Sequence, residues 1–153
     1  MTFDDNCSHS YTILTQYCHK ITIIAIHFSN YTVEDILSLC RANPLLQELI
    51  CCVHVGITDT ALIQLIHACP HLHTLRFPFE TDITDIGILA LSEHCPQLHR
   101  LVIRNCDQAT QAAVLQLLQR CHKLTTLVVS SSSLSKETWT QLDKNTQKRV
   151  SRC

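Results

Sequence analysis

An α/β solenoid is the fold this sequence predicts: a parallel sheet of about five short strands on the concave side, with helices on the convex side. Three observations predict it. Four threonines, Thr32, Thr58, Thr84 and Thr110, stand 26 residues apart. Apolar residues spaced L-x-x-L-x-L recur in step with them, and two units close on a Cys-Pro step, with Asn-Pro and Cys-His as variants. A period of this length marks a strand-turn-helix unit that cannot bury its apolar side alone and must stack on its neighbours.

Taken in chain order, Asn6 to Tyr17 reads as the helical half of a repeat whose strand is missing. The strands then follow in columns. The first is Ile21, Leu46, Leu72, Leu98 and Leu124; the second Ile24, Leu49, Leu75, Leu101 and Leu127; the third Ile26, Cys51, Phe77, Ile103 and Val129. All fifteen positions are apolar in a chain that is 46% apolar. The second and third columns lie two residues apart and so share one face of a strand. Each strand leads through a loop to the threonine column. Thr58, Thr84 and Thr110 are placed as N-caps, where a side-chain oxygen accepts from an orphan backbone N–H. Asp59 and Asp85 follow at the positive end of the helix dipole. Leu62 and Leu65, Ile88 and Leu91, and Val114 and Leu117 form the inward helix face, and Ala61, Gly87 and Ala113 allow close approach to the sheet.

The helices stop at Cys69-Pro70 and Cys95-Pro96, with Asn43-Pro44 and Cys121-His122 as variants, because proline cannot continue the hydrogen-bond ladder. The step from Ile21 to Leu46 is 25 residues, and Ser135 sits one short of the threonine column, each a deletion in a loop. At the end, Trp139 and Leu142 occupy helix core slots. Lys144, Lys148, Arg149 and Arg152 form a basic tail, read as the cationic end of a helix that caps the stack. The expected organisation is one domain over 1–153, with a partial N-terminal repeat at 1–17, repeats at 18–134 and a capping helix and basic tail at 135–153.

These residues resemble the cysteine-containing leucine-rich repeats of F-box proteins. The run CPQLHRLVIRNC from Cys95 to Cys106 follows that family's strand pattern, and ITDIGILAL from Ile83 to Leu91 its helix start. The resemblance covers about residues 18 to 142 and is specific for the repeat subclass rather than for one protein. Only Cys106 fills the second cysteine slot, which elsewhere holds Ser29, His54, Glu80 and Ser132. The resemblance implies a leucine-rich-repeat solenoid that receives substrates for a cullin-type ubiquitin ligase, with ligase subunits among its partners. The first forty-odd residues are taken up by repeats, and no F-box is read in them. The alternative is an F-box-free adaptor of the same repeat class in signalling or cell-cycle control.

The net charge of −1 favours neither nucleic acid nor a membrane surface. The longest apolar stretch, Ile21 to Ile26, is far too short to span a bilayer, and the start lacks the apolar core of a signal peptide. Ten cysteines raise the possibility of a disulfide framework, but the register argues for thiols. Cys18, Cys69, Cys95 and Cys121 share the turn into the strand, which in this repeat class points inward, and Cys40 and Cys51 fall in core slots. Buried free cysteine acts as a small hydrophobe, and an abundance of it points to a reducing compartment, cytoplasmic or nuclear.

Two clusters invite a metal or catalytic reading. His67-x-Cys69-x-His71-x-His73 has short spacings, but Cys69 belongs to the inward column and His73 shares a slot with His99, so no convergence is expected and no metal or cofactor is assigned. Cys51 and Cys52 point to opposite sides of a strand. A cysteine-dependent enzyme is the third reading. It needs an exposed thiolate with a base in reach, and no phosphate loop or oxyanion donor set accompanies the thiols, so no catalytic residue is assigned. The four charges of the tail lack the aromatic interleaving of a nucleic-acid surface, and Cys153 lacks the three following residues of a prenylation box.

The concave face carries the functional expectation. By register it presents Ile23, Ala25 and His27; Glu48, Ile50 and Cys52; Thr74, Arg76 and Pro78; Arg100, Val102 and Arg104; and Thr126, Val128 and Ser130. Arg76, Arg100 and Arg104, with Phe79 and Asn105 alongside, form a patch for an acidic or phosphorylated protein segment, since arginine's planar fork pairs with such groups bidentately. Toward the N-terminal strands the same face turns apolar, as exposed sheets with no partner rarely do.

Overall fold

A computed structural model describes residues 2–3, 20–27, 31–52, 56–79, 81–104, 106–129 and 150–152. Among the described residues the main sheet is parallel throughout and holds seven strands in chain order: β1 (Thr2–Phe3), β2 (Ile23–Ile26), β3 (Glu48–Cys51), β5 (Thr74–Phe77), β7 (Arg100–Ile103), β8 (Thr126–Val129) and β9 (Val150–Arg152). Between them lie the helices α1 (Val33–Ala42), α2 (Asp59–Ala68), α3 (Asp85–His94) and α4 (Gln111–Arg120), each packed on the next. The short strands β4 (Ile57–Thr58) and β6 (Thr81–Asp82) pair with each other in a separate ribbon just before α2 and α3. The five central strands are the five read from the column pattern.

Each helix is ten residues long, too short to hold in water by itself, so the caps and the packing sustain it. Thr32 and Asp35 form a reciprocal capping box: Thr32 Oγ1 accepts from the Asp35 N–H at 3.2 Å, and the Asp35 carboxylate accepts from the Thr32 N–H at 2.8 Å. Thr58, Thr84 and Thr110 accept in turn from the N–H groups of Ala61, Ile86 and Ala113. At the other end Cys69, Cys95 and Cys121 donate their N–H to Leu65, Leu91 and Leu117. Their carbonyls then accept from Leu72, Leu98 and Leu124, a turn that drops the next column leucine straight into the core.

The three apolar columns and the inward helix faces form one continuous core. Leu49, Leu75, Leu101 and Leu127 are side by side in register and wholly buried, as are Leu62, Ile88, Val114 and Leu117 on the helices. Stacked units are also tied by polar bonds. The Cys69 thiol donates to the Cys40 carbonyl and the Cys121 thiol to the Cys95 carbonyl, each at 3.5 Å. Asn43 takes this slot in α1's unit. Fully buried, it accepts from the Ile21 N–H at 3.1 Å and donates to the Leu39 carbonyl at 3.0 Å. Its side chain thus satisfies one donor and one acceptor that burial would otherwise orphan.

The aspartates after the threonine caps do more than oppose the helix dipole. The Asp59 carboxylate reaches into the next unit and accepts from Thr84 N–H at 2.9 Å, Thr84 Oγ1–H at 2.6 Å and Gly87 N–H at 2.9 Å. Asp85 does the same to Thr110, accepting from its N–H at 2.5 Å and its hydroxyl at 2.7 Å. Thr84 and Thr110 are therefore each both a cap within one unit and a clasp between two.

The ends differ from the sequence reading. A strand does precede the first full repeat: β1 pairs with β2 through Thr2–Ala25 and Phe3–Ile26, and at two residues it is too short to show in any column pattern. Val150–Arg152 is a strand on the β8 edge, pairing Val150 with Leu127, so Arg152 does not sit at a helix end. Asn6 to Tyr17, Cys18, Trp139, Leu142, Lys144, Lys148 and Arg149 lie outside the described residues. Among the described residues, no helix is long and apolar enough to cross a membrane.

Candidate recognition surface

The face of the sheet away from the helices is laid out in rows by the strand register. One row runs Ile23, Glu48, Thr74, Arg100 and Thr126; the next runs Ala25, Ile50, Arg76, Val102 and Val128. Arg104 continues its strand by one residue, its N–H bonded to the Phe77 carbonyl at 3.2 Å. With strands about 4.8 Å apart and a rise of about 3.3 Å per residue, Arg76 stands diagonally about 8 Å, Cα to Cα, from both Arg100 and Arg104. The structure thus brings the three arginines together as the register predicted. Asn105 lies outside the described residues, and Phe79 is half-buried in the loop after β5.

Their surroundings differ in a way the sequence did not reveal. Arg100 and Arg104 are exposed, whereas Arg76 is half-buried and its Nε is sealed from solvent with no hydrogen-bond partner among the described residues. Val102, read as outward-facing, is only 6% exposed, as is Ala25. Val102 lies between Arg100 and Arg104 along its strand and beside Arg76 across it, where long aliphatic stems cover apolar surface while their charged ends stay wet. Ile23, by contrast, is 43% exposed.

Electrostatically the patch is uncommitted. The ion pairs among the described residues are Arg41–Glu34 and Arg120–Glu93, both on the helices, and none involves Arg76, Arg100 or Arg104. Glu48, half-buried, stands diagonally from Arg76 on the side opposite Arg100. Thr81, from the β6 ribbon, donates its hydroxyl to the Arg104 carbonyl at 3.4 Å and steadies the arginine's backbone from behind. No repeat pattern marks Thr81, so sequence reasoning missed it. The helix N-termini, the other common anion sites, are already occupied by the threonine and aspartate oxygens described above.

The histidine–cysteine cluster disperses. Cys69 is buried in the core, His67 makes an edge-on ring pair with His94 at 4.8 Å, and His73 pairs likewise with His99 at 5.7 Å. Among the described residues, no three His, Cys, Asp or Glu side chains are grouped as metal ligands. Cys40, Cys51, Cys69, Cys95, Cys106 and Cys121 are buried thiols, and Cys52 is half-exposed. Burial, and then the neighbouring Cys121 and Cys69, push the Cys95 thiol up to about 12, and burial likewise raises Cys51. A hydrogen bond with Cys69, then burial, raises Cys40. Brief alkylation of the native protein is therefore expected to label Cys52 well before Cys51 or Cys95, read by mass spectrometry of the peptides. The same shift makes stability fall as pH rises from the thiol's ordinary 9.0 toward about 12, because there the unfolded chain has released a proton that folded Cys95 still holds.

No family model matches the chain, and no curated protein matches it. Among solved structures it is similar to one described as "Crystal structure of Rad7 and Elc1 complex in yeast", with a TM-score of 0.48 and 16% identity over 100% of this chain and 55% of that one. The chain thus spans about half the length of that structure's chain.

Proposed function

We propose that the chain is a leucine-rich-repeat solenoid working as a non-enzymatic protein-recognition module. Its open sheet face receives the partner, and Arg76, Arg100 and Arg104, with Phe79 and Asn105 beside them, hold an acidic or phosphorylated segment. The observation that carries this reading is the set of three neighbouring guanidinium groups with no ion pair among the described residues, on the sheet face turned away from the described helices. Within this reading, the resemblance to F-box repeats points to substrate reception for a cullin-type ubiquitin ligase inside the cytoplasm or nucleus. Six of the seven described cysteines are buried, and burial raises the Cys51 and Cys95 thiols, so a cysteine-dependent enzyme is the less favoured reading.

Replacing Arg76, Arg100 and Arg104 together by glutamate is expected to strip the bound partners from the protein in an affinity pull-down, with circular dichroism checking that the variant keeps its fold. An unchanged partner set would dispose of the reading. Co-purification of the ligase's adaptor subunit tests the ligase assignment separately.

A further inference from the structure

The middle row of the open face, Ala25, Ile50, Arg76, Val102 and Val128, is apolar apart from Arg76. That arginine differs from the other two. Its Nε is sealed and unpartnered among the described residues, and the side chain is half-buried, so the rest of the guanidinium is what meets solvent. A charge with apolar neighbours interacts more strongly with a counter-charge than one fully in water. Arg100 and Arg104 flank it on the next strand, and Glu48 faces it from the preceding one. Three guanidinium groups against one carboxylate leave the patch at about +2, which a phosphate monoester of about −1.5 to −2 balances and a single carboxylate does not.

Resting on the recognition reading above, we propose that this face selects an extended protein segment that crosses the strands along the middle row, with a phosphorylated residue on Arg76 and aliphatic residues two places to either side, over Ile50 and Ala25 and over Val102 and Val128. The spacing follows from the sheet. Row positions on neighbouring strands lie about 4.8 Å apart, and residues two apart in an extended chain share a face at about 6.6 Å, so the residues two places from the phosphorylated one fall between Ile50 and Ala25 on one side and between Val102 and Val128 on the other. Alternate side chains of the bound segment therefore meet the row, and those between them face solvent. Arg100 and Arg104 approach the phosphate from the rim.

The test uses the whole chain and fluorescence anisotropy with degenerate peptide pools centred on phosphothreonine, glutamate or threonine, and a single-stranded oligonucleotide as a fourth probe. The phosphothreonine pool is expected to bind about tenfold or more tighter than the glutamate pool, and affinity selection from it to enrich aliphatic residues two places from the centre. Arg76→Lys, which keeps the charge and loses the fork, is expected to weaken binding about tenfold. Arg100→Gln or Arg104→Gln is expected to cost about twofold to fivefold, as exposed pairs do. Ile50→Thr, a mild change at a half-exposed position, flattens the aliphatic preference and leaves the phosphate preference intact. Equal binding of the phosphothreonine and glutamate pools, or tighter binding of the oligonucleotide, overturns the inference. If no pool binds while natural partners still require the three arginines, this inference falls and the recognition reading stands; if the arginines do not matter to either, both fall.

Discussion

Leu101→Ala is expected to lower the free energy of unfolding by about 3–5 kcal/mol, measured as the shift in a urea melt. Leu101 has no exposed surface and lies at the centre of β7, with Leu75 and Leu127 in register on either side. Removing its branched end subtracts the transfer energy of three carbons and leaves a void that a parallel sheet with fixed strand spacing cannot close. The position within the stack matters as much as the burial. In a repeat array each unit gains its stability from the interfaces with its two neighbours, and a void here weakens both at once. Leu101→Met, which roughly conserves volume, is expected to cost less than about 1.5 kcal/mol. A Leu101→Ala protein as stable as its parent would mean that the column is not the core.

That column was legible because two periodicities coincide in it: the alternation along each strand and the 26-residue step between strands. The same coincidence exposed the threonine caps and the cysteine turns, since Thr58, Thr84 and Thr110 do one job at three equivalent places. Features found at only one or two places left no such trace. The strands β1 and β9 span two and three residues and are held by partners already in the sheet, so local sequence has little to specify. At the candidate site, register alone placed Arg76 diagonally between Arg100 and Arg104. What register could not give is the depth of each side chain. Whether Val102 is wet and whether the Arg76 Nε is sealed depend on how long side chains fold over the sheet, and periodicity carries no record of that.

Gly87→Ala sets two effects against each other, and the structure decides the sign. Gly87 lies in the first turn of α3, where alanine's helix propensity alone favours the substitution by about 1 kcal/mol. An added Cβ, however, falls 2.5 Å from Asp59 Oδ1, 3.0 Å from Ile83 Cγ2 and 3.1 Å from Leu62 Cδ2. The first of these atoms is the acceptor for the Thr84 and Gly87 N–H groups, so it cannot withdraw without releasing both. Overpacking of about 1–3 kcal/mol and the weakening of charge-assisted hydrogen bonds worth about 1.5–3 kcal/mol exceed the propensity gain. The net expectation is a loss of about 2–4 kcal/mol by urea melt. Asp59→Ala is expected to cost a similar amount, and Asp85→Ala less, because among the described residues the Asp85 carboxylate is seen to accept from Thr110, and the place of Gly87 is taken there by Ala113. The double variant separates propensity from clash. With the carboxylate gone, the nearest obstacle to the new Cβ disappears, so Gly87→Ala in the Asp59→Ala background costs much less than in the parent, and the two changes fall well short of additive. Additive losses, or a Gly87→Ala protein more stable than the parent, would show that the carboxylate does not clasp one repeat to the next.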